Sequence, residues 1–452
     1  MPLSLRVETV GDLAALLIPA CLCVELDVVG RLFLVDILLL VSVPFLWRGV
    51  RHSLQPEGLR RLLLLGVLWF ANQVVTDLVR GTPPSDIARG WSKISLFVLN
   101  LAIIPALIGG CRKRAALYGL GCAVGFLIAV QVSPDPWYWA DHWKFGYAQP
   151  FNFLMALIAS LFWSRGRQVP AICVLSVCAC VNGILGARGA AVAMVGAAVL
   201  LAINRRDRAI GSLAYSLRTL SVLATILIVA ANAYVAMATA GWFGEALQTK
   251  ITVQTAGDLG VVVGGRNLLL AGVERIADSP LLGMGSWATG GDYLASAASV
   301  LRDHGYAISK DTLSQADPHS ISHSHLIGAW VEAGLFGGLF WAVTFVLAAR
   351  RLLRGGWGGD PLAPLILFVG CTLLWDILFS PFAQERRFIT PFYITCVVAF
   401  GEVRRRQRLN PLYSWRTAPP LNAPRTASAP LFARRFKRTN PRPGSDPMPF
   451  TP

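Results

Sequence analysis

The sequence predicts an all-α integral membrane protein of about twelve transmembrane helices, with one large, partly helical external loop. Three observations carry this. Of 452 residues, 54% are hydrophobic and only 15% are charged, with a mean hydropathy of +0.55. Apolar runs recur along most of the chain, each long enough to cross a ~30 Å hydrocarbon core at about 1.5 Å per residue. The runs are continuous, which excludes a porin-like barrel of alternating ~10-residue strands.

In chain order, spans are expected near 11–26, 31–47, 61–79, 91–110, 115–132, 150–164, 168–186, 189–203, 217–238, 324–349, 362–381 and 388–403. Glu25 and Asp27 mark the first boundary. Charge supports the alternation. Arg48, Arg51, Arg60 and Arg61 fall on one side together with Arg112 to Arg114, Arg165 and Arg167. Arg205, Arg206, Arg208, Arg350, Arg351 and Arg354 join them in the same register. This is the positive-inside pattern, and it sets both termini in the cytoplasm. The bias suits a bacterial inner membrane. It also accounts for the net charge of +16 through topology, so nucleic acid is not expected as a partner.

The nine cysteines show no disulfide framework or zinc spacing and read as small packing residues. Arg6, Glu8 and Asp12 do not make a signal peptide, so the first span is expected to stay as an anchor. Two domains follow: a polytopic region over 1–403 and a basic tail over 404–452. The tail is rich in Pro, Arg and Ala, and reads as disordered and drawn to anionic lipid heads. No internal repeat is visible, which counts against an inverted-repeat transporter.

The long external segment covers 239–322. Within it, Arg266 to Asp278 has apolar residues at helical spacing and reads as an amphipathic helix lying at the membrane interface, stopped by Pro280. The stretch PLLGMGSW is a Gly-punctuated turn, and a second short helix covers Tyr293 to Arg302. A shorter loop, Thr76 to Lys93, carries Arg80, Arg89 and Lys93. Another, Gln131 to Gln149, is rich in Trp and Tyr, which suits interface anchors or a platform for stacking sugars.

Chemistry concentrates in DPHSISHSHLIGAWVEAGLFGGLFWAVTFVL, Asp317 to Leu347, where a polar run with His319, His323 and His325 turns into an apolar helix. Histidine exchanges protons near neutral pH. His323 and His325 diverge by roughly 200° on a helix and so cannot share a face. No carboxylate or cysteine stands at a standard metal-ligand spacing, so neither metal nor other cofactor is expected. Arg188, in GARGA, lies on the side where arginine is disfavoured. Arg266 follows Gly264 and Gly265 at a helix start; a guanidinium there suits a phosphate oxygen, or an ion pair with a nearby Asp. Glu332 lies inside a span, where a carboxylate is expected to be paired and to position its helix. Arg386 and Arg387 are a further basic pair in a short external loop.

HSHLIGAWVEAGLFG resembles the H-N/S-x-x-L-x-x-x-x-E-x-G-x-x-G signature of the O-antigen ligase and polymerase superfamily. GGRNLLLAGVERIADSPLLGMGSW resembles the family's arginine, helix and P-L-x-G-x-G element, and GARGA its earlier S-R-G-A element. Ala187 stands where Ser is usual, Ser324 for Asn and Ile327 for Leu. Order and spacing agree across residues 60–400. The resemblance implies a GT-C-like membrane glycosyltransferase, metal-independent, with its large loop in the periplasm. It would take a glycan from undecaprenyl diphosphate and pass it to lipid A core as a ligase, or to a growing glycan as a polymerase. Within it, His323 would act as general base and Arg188 and Arg266 would clamp the diphosphate. His319, His325, Glu332, Arg80 and Arg89 are the secondary candidates. The ligase form leads, because the His-containing signature is its usual one. From a different class, a transporter or flippase of lipid-linked glycans would place its functional charges near the bilayer midplane, and a non-catalytic scaffold would tolerate loss of His323.

Overall fold

The structure, a computed structural model, describes residues 3–400 apart from 4, 28–30, 54, 135–136, 206–212, 259–267, 289–290, 307–322 and 383–384. Arg266, His319 and the basic tail therefore lie outside the described residues.

Thr9 caps the first helix, α1 (Val10–Ala20), its hydroxyl accepting the Asp12 amide at 3.1 Å. A 3-10 turn, Cys21–Cys23, leads into an antiparallel hairpin of β1 (Glu25–Asp27) and β2 (Arg31–Phe33), with Leu26 opposite Leu32. The chain then forms α2 (Leu34–Ser53), α3 (Glu57–Arg80), α4 (Pro84–Ile108) and α5 (Arg112–Val132). Gly81 and Gly109 end α3 and α4 in the left-handed region, at φ 63° and 59°. A π turn, Trp143–Tyr147, opens α6 (Ala148–Ser164), followed by α7 (Gln168–Ile184), α8 (Arg188–Ile203) and α9 (Leu213–Thr239). The segment expected to be external contains α10 (Glu245–Thr255), α11 (Leu268–Asp278) and α12 (Gly291–Asp303). The last helices are α13 (His325–Leu353), α14 (Ala363–Phe379) and α15 (Arg386–Ile394), which continues through a π turn at Thr395–Ala399.

The described chain is thus nearly all α; the first expected apolar segment runs past α1 into β1 and the second begins in β2, while the described residues of the others are helical apart from their ends. Six helices are long and apolar enough to cross a membrane: Glu57–Arg80, Pro84–Ile108, Arg112–Val132, Trp143–Ser164, Leu213–Thr239 and His325–Leu353. The others are shorter, such as the 17 residues of Ala363–Phe379, about 25 Å at the helical rise.

Packing is closest where small residues let backbones meet. A Cβ on Gly121 of α5 would fall 2.2 Å from the Leu16 carbonyl of α1. An aromatic cluster of Trp69, Phe97, Phe340, Trp341 and Phe382 joins α3, α4 and α13. Buried charges are paired across elements. Arg387 binds Asp36 at 2.9 Å, and Arg112 binds Asp360 at 2.9 Å. Helix α9 differs: Leu217, Ile228 and Val229 are exposed, and only Thr219 and Ala238 are buried. Helix α11 is amphipathic as expected, but it packs on α12 and α13, burying Ala271 and Arg275. Its inner face therefore meets protein, which offers that face more contact than lipid head groups would.

Candidate functional site

Helix α13 begins at the histidine pair. Ser324 is its N-cap, its hydroxyl accepting the Ile327 amide at 3.2 Å and donating to the Ile377 carbonyl at 2.8 Å. The two neighbours of this cap differ in burial, but not by helical spacing, because His323 precedes the extended cap residue and lies outside the helix. His323 is half-buried. His325 is fully buried, edge-on to Trp341 at 4.8 Å and Phe382 at 5.2 Å. Its Nδ1 lies 2.6 Å from the Ser380 carbonyl, which fixes Nδ1 as the protonated nitrogen. A ring enclosed by aromatics cannot reach an acceptor hydroxyl, so His325 anchors the helix start and is not suited to serve as a reserve base.

Ile377 and Ser380 belong to the C-terminal end of α14, and two further basic residues gather there. Arg386 is hydrogen-bonded to the buried Asp376 and lies 3.6 Å from Glu385. It also sits within electrostatic reach of His325. On another side, Gly189 faces Trp375 so closely that a Cβ would fall 2.5 Å from the indole nitrogen. That contact brings the N-terminus of α8, and with it Arg188, against α14. The cap residue, Ala187, offers no side-chain acceptor to the first amides of α8. Arg188 is half-buried. Among the described residues no carboxylate forms an ion pair with it, whereas Arg112, Arg386 and Arg387 each hold one. A half-buried cation at a helix N-terminus without a carboxylate is an arrangement that favours an anion.

The remaining sequence-predicted residues lie elsewhere. Gly334, with φ 62° and ψ −149°, breaks α13. The turn at 280–287 fills the break: Met284 donates to the Val331 carbonyl at 2.8 Å, Gly285 to Glu332 at 3.1 Å, and Leu335 to Leu281 at 3.1 Å. A Cβ at 334 would stand 2.1 Å from the Leu281 carbonyl, so only glycine fits. Glu332 is paired with Lys93 of α4 at 2.5 Å rather than with a histidine, an arginine or α11. Lys93 also lies 4.7 Å from the ring centroid of Trp287. Arg80 donates to the Gly283 carbonyl at 3.0 and 3.1 Å and to the Ser279 hydroxyl at 2.7 Å. It is committed to holding the turn, not placed to meet a diphosphate. Arg89 is on the surface, 3.7 Å from Asp86.

Sequence reasoning passed over the residue that organises this knot. Asp77 is fully buried and accepts from Ser286 N at 2.6 Å, Ser286 Oγ at 2.7 Å, Trp91 at 2.9 Å, Thr82 at 3.0 Å and Gln73 at 3.2 Å. Asp36 and Asp376 were missed in the same way. Each is a carboxylate within or at the end of an apolar helix, and the cost of burying it is itself a signal that partners are near. No family model and no curated protein matches this chain.

Proposed function

We propose that the chain is a multi-pass protein of the bacterial inner membrane, with about twelve spans and both termini cytoplasmic. It would transfer a glycan from undecaprenyl diphosphate to an acceptor hydroxyl at the periplasmic face. The acceptor in this reading is lipid A core. The observation that carries it is Arg188, half-buried at the start of α8 with no carboxylate partner among the described residues, where α8 meets Trp375 of α14; Arg386 and the His323 end of α13 meet the same helix at Asp376 and Ile377. The six long apolar helices and the sequence motifs support the membrane setting.

The chemistry is a displacement at the anomeric carbon. The acceptor oxygen forms the new C–O bond as the bond from carbon to the phosphate oxygen breaks. His323 takes the acceptor's proton, help worth about 10²–10⁴ in rate. The electron pair leaves on the lipid diphosphate, whose developing charge Arg188 and Arg266 neutralise. Ser324 and His325 set the position of His323 by pinning the start of α13 to α14.

The test is the envelope polysaccharide profile and the lipid-linked intermediates of a deletion strain, complemented with wild type or with variants. Full-length polymer stranded on the lipid carrier is expected. A single stranded repeat unit would assign polymerase activity instead. Rescue by His323→Ala would remove the catalytic assignment and favour a transporter or scaffold.

A further inference from the structure

A cavity of about 180 Å³ opens between the β1–β2 hairpin, the ends of α1 and α5, the turn before α6 and the start of α15. Its polar wall sets Arg31, Lys144 and Arg386 against Glu25, Glu385 and Gln149. The charges are interleaved: Arg31 lies 3.8 Å from Glu25, and Arg386 lies 3.6 Å from Glu385. A phosphate entering here would meet both carboxylates. An alkyl chain would strip water from ionic groups and return nothing. A neutral polyol answers both signs, since each hydroxyl donates to a carboxylate and accepts from a guanidinium or ammonium.

The apolar wall fits the same ligand. Phe126 and Phe145 offer ring surfaces to the C–H faces of a sugar, backed by the buried Phe33. The ring surface extends outward from the cavity: Trp137 is 63% exposed with its centroid 6.4 Å from that of Phe145, and Trp139 is 73% exposed. Aromatic anchors in a lipid interface would not need a charged recess behind them. Arg386 ties the cavity to the candidate site, because Asp376, which holds it, lies on α14 one turn before Ser380 and the His325 contact.

We infer that this cavity is a saccharide subsite, binding one neutral sugar ring of the glycan substrate through interleaved charges and phenylalanine faces. The inference rests on the glycan-transfer reading and names where the sugar sits. The experiment uses the full chain in phospholipid nanodiscs. Saturation-transfer NMR is recorded with the methyl glycosides of glucose, galactose and N-acetylglucosamine, and inorganic pyrophosphate is titrated as competitor. The expected result is binding of at least one glycoside that persists with pyrophosphate present. It should weaken about tenfold in Phe145→Ala, which removes a ring, and in Ala129→Phe, which fills the cavity. Either variant suffices if the other does not elute as a monodisperse protein. Absence of binding by all three glycosides, binding unchanged in the folded variants, or displacement by pyrophosphate overturns the inference. The deletion strain separates the two ideas. Stranded glycan with no sugar binding sinks the cavity alone, whereas a wild-type envelope profile with sugar binding intact sinks the transfer reading alone.

Discussion

The knot at Gly334 and the collar around the end of α14 are both polar clusters at helix ends, yet they are built on opposite terms. In the knot, Asp77 takes five hydrogen bonds, Arg80 holds a carbonyl and a hydroxyl, and Lys93 closes on Glu332. Its groups are spent on one another. In the collar, Arg386 is spent on Asp376, but Arg188 pairs with no carboxylate among the described residues. A satisfied polar cluster specifies a shape, whereas a cation held at a helix start without its counter-charge is positioned for something that arrives. Similar residue types thus separate into scaffold and candidate site, Arg188 being told apart by its missing carboxylate partner among the described residues.

The difference can be broken by substitution, beginning with the collar. His323→Ala and Arg188→Ala should each lower glycan transfer by about 10²-fold or more while the protein still accumulates and inserts normally. Transfer by either variant at the wild-type level, read from the envelope profile, would erase the distinction. The knot should respond in stability. Lys93→Met leaves Glu332 partly buried and unpaired, and a loss of about 3–5 kcal/mol is expected, seen as a lower unfolding temperature in detergent. The double variant Lys93→Met with Glu332→Leu should recover most of that loss, because no charge is then stranded. If the double variant is as unstable as the single one, the ion pair is not the element that matters. Gly334→Ala asks a left-handed backbone and a filled contact to coexist. It should cost about 1–3 kcal/mol and show as reduced accumulation and greater protease sensitivity at 280–287. Smallest of all, Arg89→Ala removes an exposed pair and should shift stability by no more than about 0.5 kcal/mol, with transfer unchanged. A large effect there would mean that Arg89 belongs to the site after all.

Much of the architecture was legible in the chain before folding. Continuous apolar runs mark the helices because burial of a helix face is a matter of composition over a turn or two. Their stops are local too: Gly81 and Gly109 end helices by adopting a conformation that other residues avoid, and Thr9 caps α1 within four residues. The amphipathic pattern of α11 was readable for the same reason, although its neighbour was not. Periodicity reports that a face is apolar; it does not say whether lipid or α13 will cover it.

What only the tertiary structure decided is which polar groups meet. Arg387 and Asp36 are 351 residues apart in sequence, and Lys93 and Glu332 are 239 apart. No local pattern links them. The histidine pair makes the same point at closer range. Helical spacing would make His323 and His325 diverge, but the helix starts only at His325, and packing against Trp341 and Phe382 is what buries that one. The break at Gly334 exists because a distant turn supplies the backbone hydrogen bonds that the helix gives up there. The chain's apolar pattern determined where helices form, since that depends on each segment's own surface. Pairing determined which charged residues are bound into the scaffold, since the energy of a buried charge depends on what the rest of the fold brings to it.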